Sequence, residues 1–177
     1  MRRGSGPEDT LADPVSVART ICLNQLTRGP RTRSQLADVL RKRLVPDDAA
    51  ATALDRLTDV GLIDDAAFAA GWVRSRRSGR GLSGSAVARE LRARGVDQEV
   101  VADAVAEVGP EEDEASAREL TRRRLRLVGG LPVDTRVRRL VGYLGRKGYP
   151  LGLAYRVVRD ELELAAGDLL DPHRRPT

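Results

Sequence analysis

Arginine carries most of the chemistry available to this sequence. Between Arg74 and Arg94 stand seven arginines (Arg74, Arg76, Arg77, Arg80, Arg89, Arg92 and Arg94) and one acid, Glu90. Between Arg118 and Lys147 stand ten bases against two acids, Glu119 and Asp134. The segment Asp97–Ala117 between the two blocks holds eight acids and no base. A guanidinium presents a fork of N–H donors that matches phosphate and carboxylate oxygens. Two such blocks can neutralise a phosphate backbone and release its counterions, which gives affinity that falls with salt and does not read base sequence. They can also pair with the acidic block and form solvated helix faces of little energetic consequence. The net charge of +5 on 177 residues conceals this alternation. The candidate contacts form two patches. The first is Arg74, Arg76, Arg77, Arg80, Arg89, Arg92 and Arg94. The second is Arg122, Arg123, Arg126, Arg138, Arg139, Arg146 and Lys147. Arg122, Arg123, Arg124 and Arg126 sweep most of a helix circumference, so at least one must point away from any single ligand.

Other chemistries have little material. One histidine, His173, lies in a Pro-rich tail, and one cysteine, Cys22, stands alone. A disulfide, a cysteine zinc site and a Ser-His-Asp triad are therefore excluded. Asp64-Asp65 has no further ligand nearby and reads as a helix cap. Gly79-Arg80-Gly81-Leu82-Ser83-Gly84 fits the dinucleotide pattern, but that pattern needs a buried strand before it. Arg74-Ser75-Arg76-Arg77-Ser78 precedes it instead, so a flexible inter-helix loop is expected, able to touch phosphate through its arginines and amides. No catalytic residue, metal or cofactor is expected. Aromatics are 3% of the chain, against a barrel or a base-stacking platform. No run approaches the ~20 apolar residues of a membrane span. The basic start, Met1-Arg2-Arg3, leads into no apolar segment, so no signal peptide is expected and the cytoplasm is the expected compartment.

The elements that position the arginines are helices. Leu36, Ala37, Leu40 and Leu44 follow the helical period, as do Val87, Ala88 and Leu91, and Leu140, Val141 and Leu144. These three sets align in steps of 51 and 53 residues, with Leu40, Leu91 and Leu144 equivalent. Eight residues before Leu40 and Leu91 lie Thr32 and Ser83, both N-cap types, and Thr32-x-x-Gln35 completes a capping box. Four residues after the aligned leucines lie Leu44, Gly95 and Gly148; the glycines suit a left-handed helix end. The spacing predicts an all-α protein of three three-helix repeats at 14–64, 65–109 and 110–162. A disordered extension at 1–13 and a tail at 163–177, with Pro172 and Pro176, flank them. Small stacked repeats of this kind form an elongated, curved tandem array.

Residues 17–63 carry a second reading. Thr32-Arg-Ser-Gln-Leu-Ala, Leu40, Ala53-Leu54-Asp55-Arg56-Leu57 and Gly61-Leu62-Ile63 resemble the helical part of a winged-helix DNA reader, which would make the protein a sequence-specific DNA-binding regulator. The strand hairpin of such proteins is not expected here, because Asp64-Asp65-Ala-Ala-Phe68 continues as helix. Phe68 and Trp72 then share one helix face as core residues.

The central segment is similar to the signature of RecX regulatory proteins. The residues that carry the likeness are Gly61-Leu62-Ile63-Asp64-Asp65-Ala-Ala-Phe68-Ala, Trp72-Val73-Arg74, Arg80-Gly81 and Glu90-Leu91-Arg92-Ala-Arg94-Gly95-Val96. Leu140-Val-Gly-Tyr143-Leu144-Gly-Arg146-Lys147-Gly148-Tyr149 with Val157-Val158 resembles that family's last repeat. The likeness spans residues 14–162. It implies a non-enzymatic negative regulator that binds RecA recombinase on DNA. Such a protein lies in the groove of the RecA–DNA filament and inhibits ATP hydrolysis, filament growth and strand exchange. It thereby restrains recombination, DNA repair and the SOS response. Weak non-specific DNA binding and a monomeric state accompany this expectation. The motif itself assigns no contact residue.

Overall fold

The computed structural model describes residues 13–170. Nine α-helices and no strand occur among them: α1 Pro14–Leu26, α2 Arg33–Lys42, α3 Asp47–Asp59, α4 Asp65–Arg80, α5 Gly84–Arg92, α6 Gln98–Ala106, α7 Pro110–Val128, α8 Val133–Arg146 and α9 Leu151–Leu170. The wing is thus missing after Ile63. Asp64 accepts the amide of Ala67 at 2.8 Å and starts α4 instead. The chain packs as two compact units. The first holds residues 13–68 and Ala93–Asp97, and the second holds Ala69–Arg92 and residues 98–170. The segments 1–12 and 171–177, with His173, Pro172 and Pro176, lie outside the described residues.

In the first unit, α1, α2 and α3 enclose Ala18, Cys22, Leu36, Leu40, Ala53, Leu54, Leu57 and Ile63. Their spacing puts one apolar stripe on each helix, and burying it is the main stabilising term. Asp13 belongs to this unit and not to the extension, because its carboxylate accepts from the amides of Val15 and Ser16 and caps α1 ahead of Pro14. The capping box of Thr32 and Gln35 is present in both directions.

The second unit's largest cluster is Ala117, Val128, Leu140, Val141, Leu144, Tyr149, Ala154, Val157 and Val158. Glu161 of α9, 3% exposed, is held by Arg118 at 3.4 Å and by Arg122 Nε at 2.7 Å, both from α7. A buried carboxylate persists only with such partners. α9 runs on to Leu170, past the point near 163–165 where a tail is expected. Ala165 and Ala166 are the strongest helix formers, and no proline intervenes before Pro172.

The repeat is visible in the backbone. Leu40, Leu91 and Leu144 are each fully buried. The residues four later, Leu44, Gly95 and Gly148, all adopt positive φ, at 58°, 72° and 89°. Leu44 is the one non-glycine residue with positive φ among those described. The same joint recurs at the same offsets. Thr32 donates its hydroxyl to the Arg94 carbonyl at 2.8 Å within the first unit. Ser83 donates its amide to the Lys147 carbonyl at 3.0 Å within the second, and Ser85 donates to the Gly148 carbonyl at 3.0 Å.

Candidate nucleic-acid interface

Packing sorts the first arginine block into free and committed members. Arg76 donates from Nε to Glu90 at 2.8 Å and lies 3.9 Å over the Trp72 ring, whose Nε1 donates to the same carboxylate at 2.8 Å. Arg77 donates to Asp113 at 2.6 Å and to the Leu82 carbonyl at 3.4 Å, while Asp113 also accepts the Gly84 amide. Their side chains are only 19% and 16% exposed, so both arginines tie α4 to its neighbours, and Arg77 also lines the same cleft as Arg80. Arg74, Arg80, Arg89 and Arg92 are exposed and form no ion pair among the described residues. Arg94 is half-buried in the other unit, with its carbonyl in the Thr32 joint.

The second block divides in the same way. Arg122 is occupied by Glu161, which holds its guanidinium above its ordinary pKa. Arg123 pairs with Glu119 one turn back at 2.7 Å. Arg126, Arg138, Arg139 and Arg146 are exposed without ion pairs among the described residues. Lys147 is half-buried, donates to the Arg80 carbonyl, and lies 5.1 Å from the Tyr143 ring centre. Arg124 lies 4.8 Å over the same ring. Part of the acidic segment is spent within this unit. Asp113 goes to Arg77, while Glu114 goes to Arg118 at 2.7 Å and to Arg156. The Arg118 and Arg156 guanidiniums hold the Glu114 carboxyl below its ordinary range, and Glu114 and Asp160 hold Arg118 above its own.

Part of what remains free gathers at two clefts. One, of about 670 Å³, is walled by Arg80 of the first block and by Arg123, Arg146 and Lys147 of the second, with Leu82, Leu120 and Tyr143 as its apolar surface and Glu119 as its acid. The other, of about 490 Å³, is walled by Arg124, Arg138, Arg139 and Arg146, with Leu127 and Val128. Arg146 belongs to both. Arg89 and Arg92 line a separate groove of about 740 Å³ with Val108, Leu153 and Glu114. Arg74, Arg122 and Arg126 line none of the three.

The loop that carries Arg80 is pinned, contrary to the flexible loop expected from its glycines. Lys147 holds the Arg80 carbonyl, Arg77 reaches the Leu82 carbonyl, and the Tyr149 hydroxyl lies 3.2 Å from the Gly81 carbonyl and 2.9 Å from the Ser116 hydroxyl. Gly81 has φ +60°, and a Cβ there would stand 3.0 Å from Leu120. Burial raises the Tyr149 phenol above its ordinary pKa, so the hydroxyl stays a neutral donor. A loop held this way presents Arg80 without a large ordering cost on binding. Arg124 and Tyr143 were absent from the sequence-derived set. The signal was available in part: two residues on a helix lie about 200° apart, so Arg124 must face away from whatever engages Arg122.

Among the described residues no group of three or more His, Cys, Asp or Glu is placed to hold a metal, and no helix is long and apolar enough to cross a membrane. Three family models match the chain: RecX first three-helix domain at residues 18–57, second three-helix domain at 64–105 and third three-helix domain at 111–158. The chain is 54% identical over 159 residues to the regulatory protein RecX of Thermobifida fusca, covering 90% of this chain and 84% of that one. It is 49% identical over 149 residues to that of Mycolicibacterium smegmatis, covering 82% and 79%. The crystal structure of RecX from Lactobacillus salivarius superposes with a TM-score of 0.77 at 21% identity, over 87% of this chain and 99% of that one. A second crystal structure of regulatory protein RecX gives 0.72 at 23% identity, over 90% and 81%. At those identities the two structures speak for the fold.

Proposed function

The chain belongs to the RecX family of regulatory proteins, and from that premise we propose that it is a negative regulator of the RecA recombinase. It binds the RecA–DNA filament in its groove and inhibits ATP hydrolysis, filament growth and strand exchange. Recombination, DNA repair and the SOS response are restrained as a result. No catalytic step is assigned to the protein itself. The observation that carries the reading is the convergence of unpaired cations from two distant sequence blocks, Arg80 with Arg146 and Lys147, on one cleft in the second unit. DNA presents a charge about every 1.7 Å of helix axis, and such a cleft gains affinity by releasing the counterions of that charge. Binding to free DNA is then weak, salt-sensitive and indifferent to base sequence. The protein acts as a monomer in the cytoplasm and needs no cofactor.

The test is RecA's single-stranded-DNA-dependent ATP hydrolysis, titrated with this protein at fixed ionic strength. The expected result is half-inhibition below one molecule per RecA monomer, with a DNA competition control that excludes simple sequestration. Undiminished hydrolysis, with filaments shown to be present, overturns the reading.

A further inference from the structure

The two basic clefts differ in a way that the filament reading does not use. The larger one contains an acid, Glu119, which occupies Arg123. The smaller one is walled by four arginines and no acid. None of Arg124, Arg138, Arg139 and Arg146 forms an ion pair among the described residues. Elsewhere in the same unit Arg76, Arg77, Arg118, Arg122, Arg123, Arg156 and Arg159 all do. Like charges that converge without a counterion repel one another, and the arrangement becomes favourable when an anion of matching charge enters.

The helix register places a glycine beside the cleft's arginines. Gly142 of α8 follows Arg138 by four residues and Arg139 by three, and precedes Arg146 by four, so it lies on the face that those three arginines share. A helix interior is a poor place for glycine, which costs about 1 kcal/mol there against alanine. Nothing in the backbone requires it, because Gly142 is helical and is not among the positive-φ residues. A Cβ at Gly142 would meet only Arg146 Nη1, at 3.5 Å. The missing side chain leaves the Arg146 guanidinium unobstructed. A cleft of about 490 Å³ lies within the range of sites for small molecules.

We propose that this four-arginine cleft is a discrete binding site for a compact polyphosphate anion. Several guanidinium forks can engage neighbouring phosphoryl groups at once, and a chain of phosphoryl groups offers them more acceptor oxygens and more charge than a single phosphate does. The ligand chemistry is a short chain of phosphoryl groups, supplied by a free polyphosphate or by a nucleic-acid backbone. The inference stands apart from the filament reading, since it needs no recombinase.

Isothermal titration calorimetry of the full chain with sodium tripolyphosphate, at fixed ionic strength, tests it. One saturable site is expected, at least tenfold tighter than for orthophosphate. Gly142→Leu keeps every charge and crowds the Arg146 guanidinium; it should weaken binding at least tenfold. Gly142→Ala should keep most of the affinity. The double variant Arg138→Gln/Arg139→Gln alters only exposed side chains, so it reports on the site even if the leucine variant fails to fold, and it too should lose at least tenfold. Displacement of a labelled single-stranded oligonucleotide by tripolyphosphate would show that backbone and free anion share the cleft; tight uptake without displacement assigns it to the free anion. Heat that follows anion charge alone and is equal in wild type and both impaired variants overturns the proposal. Loss of RecA inhibition is scored separately, so either reading can fail while the other stands.

Discussion

Thr32 donates its hydroxyl to the carbonyl of Arg94, 62 residues later, at 2.8 Å, while accepting the amide of Gln35 at 3.1 Å. One side chain thus starts a helix and satisfies a carbonyl of the segment Ala93–Asp97 in the same unit. Ser83 and Lys147 stand in the same relation by backbone, at the same 51- and 53-residue offsets. Thr32 is fully buried, so neither bond has water as a ready substitute. Thr32→Ala should cost about 1–3 kcal/mol, from a lost cap and an orphaned carbonyl. Thr32→Ser should recover most of it. Urea midpoints at constant slope measure both.

The left-handed helix ends give a prediction of opposite signs. Gly148 has φ +89°, and a Cβ there would stand 2.5 Å from the Ala86 Cβ. Gly148→Ala should therefore destabilise by about 2 kcal/mol, combining left-handed strain with a forced shift in packing. Leu44 already bears that strain at φ 58°, with its side chain 89% exposed. Leu44→Gly should stabilise by up to about 1 kcal/mol, since the relief of strain outweighs glycine's greater chain entropy. Thermal or urea unfolding of the two variants should move in opposite directions.

Arg77 and Arg146 came from the same kind of sequence signal and should behave differently. Arg77 is 16% exposed and bound to Asp113, so Arg77→Gln should lower stability by about 1–3 kcal/mol. Arg146 is exposed and shared by both clefts. Arg146→Gln should leave the urea midpoint within about 0.5 kcal/mol and reduce the salt slope of DNA binding by about 1. Paired unfolding curves and salt titrations separate the two roles.

Two groups contribute to the pH dependence of the second unit. The Glu114 carboxyl is held low, chiefly by its bond from Arg118. Its contribution is complete above the ordinary carboxylate pKa of 4.5 and is lost as pH falls below that value through the folded one. Glu114→Gln should flatten the acid limb of stability below pH 4.5. On the alkaline side, burial raises the Tyr149 phenol above 10. Its contribution is complete below pH 10 and is lost as pH rises through the folded value. Tyr149→Phe should remove the late tyrosinate absorbance change at high pH and the loss of stability that accompanies it.

The helices, their caps and the repeat were legible in the sequence because each depends on residues within a turn of one another. Thr32 and Gln35, the leucine period of α2, α5 and α8, and the glycines at 95 and 148 are local signals of this kind. The convergence of the two basic blocks was only partly legible. Arg80, Arg123, Arg138, Arg139, Arg146 and Lys147 line the clefts, while Arg76, Arg77 and Arg122 are taken up by internal acids. Charge runs report where cations are, not which carboxylates they meet.

Sequence alone thus determined the all-helical class, the threefold repeat, the family and the position of the two basic blocks. Only the tertiary structure decided which of their arginines are taken up by internal acids. Arg77 meets Asp113 across 36 residues and Arg122 meets Glu161 across 39, and the pairing of such distant groups follows from how helices pack. The same packing set Arg124 and Tyr143 together and gathered Arg124, Arg138, Arg139 and Arg146 at one cleft. A side chain's availability is a property of its neighbours in space, and no local pattern encodes it.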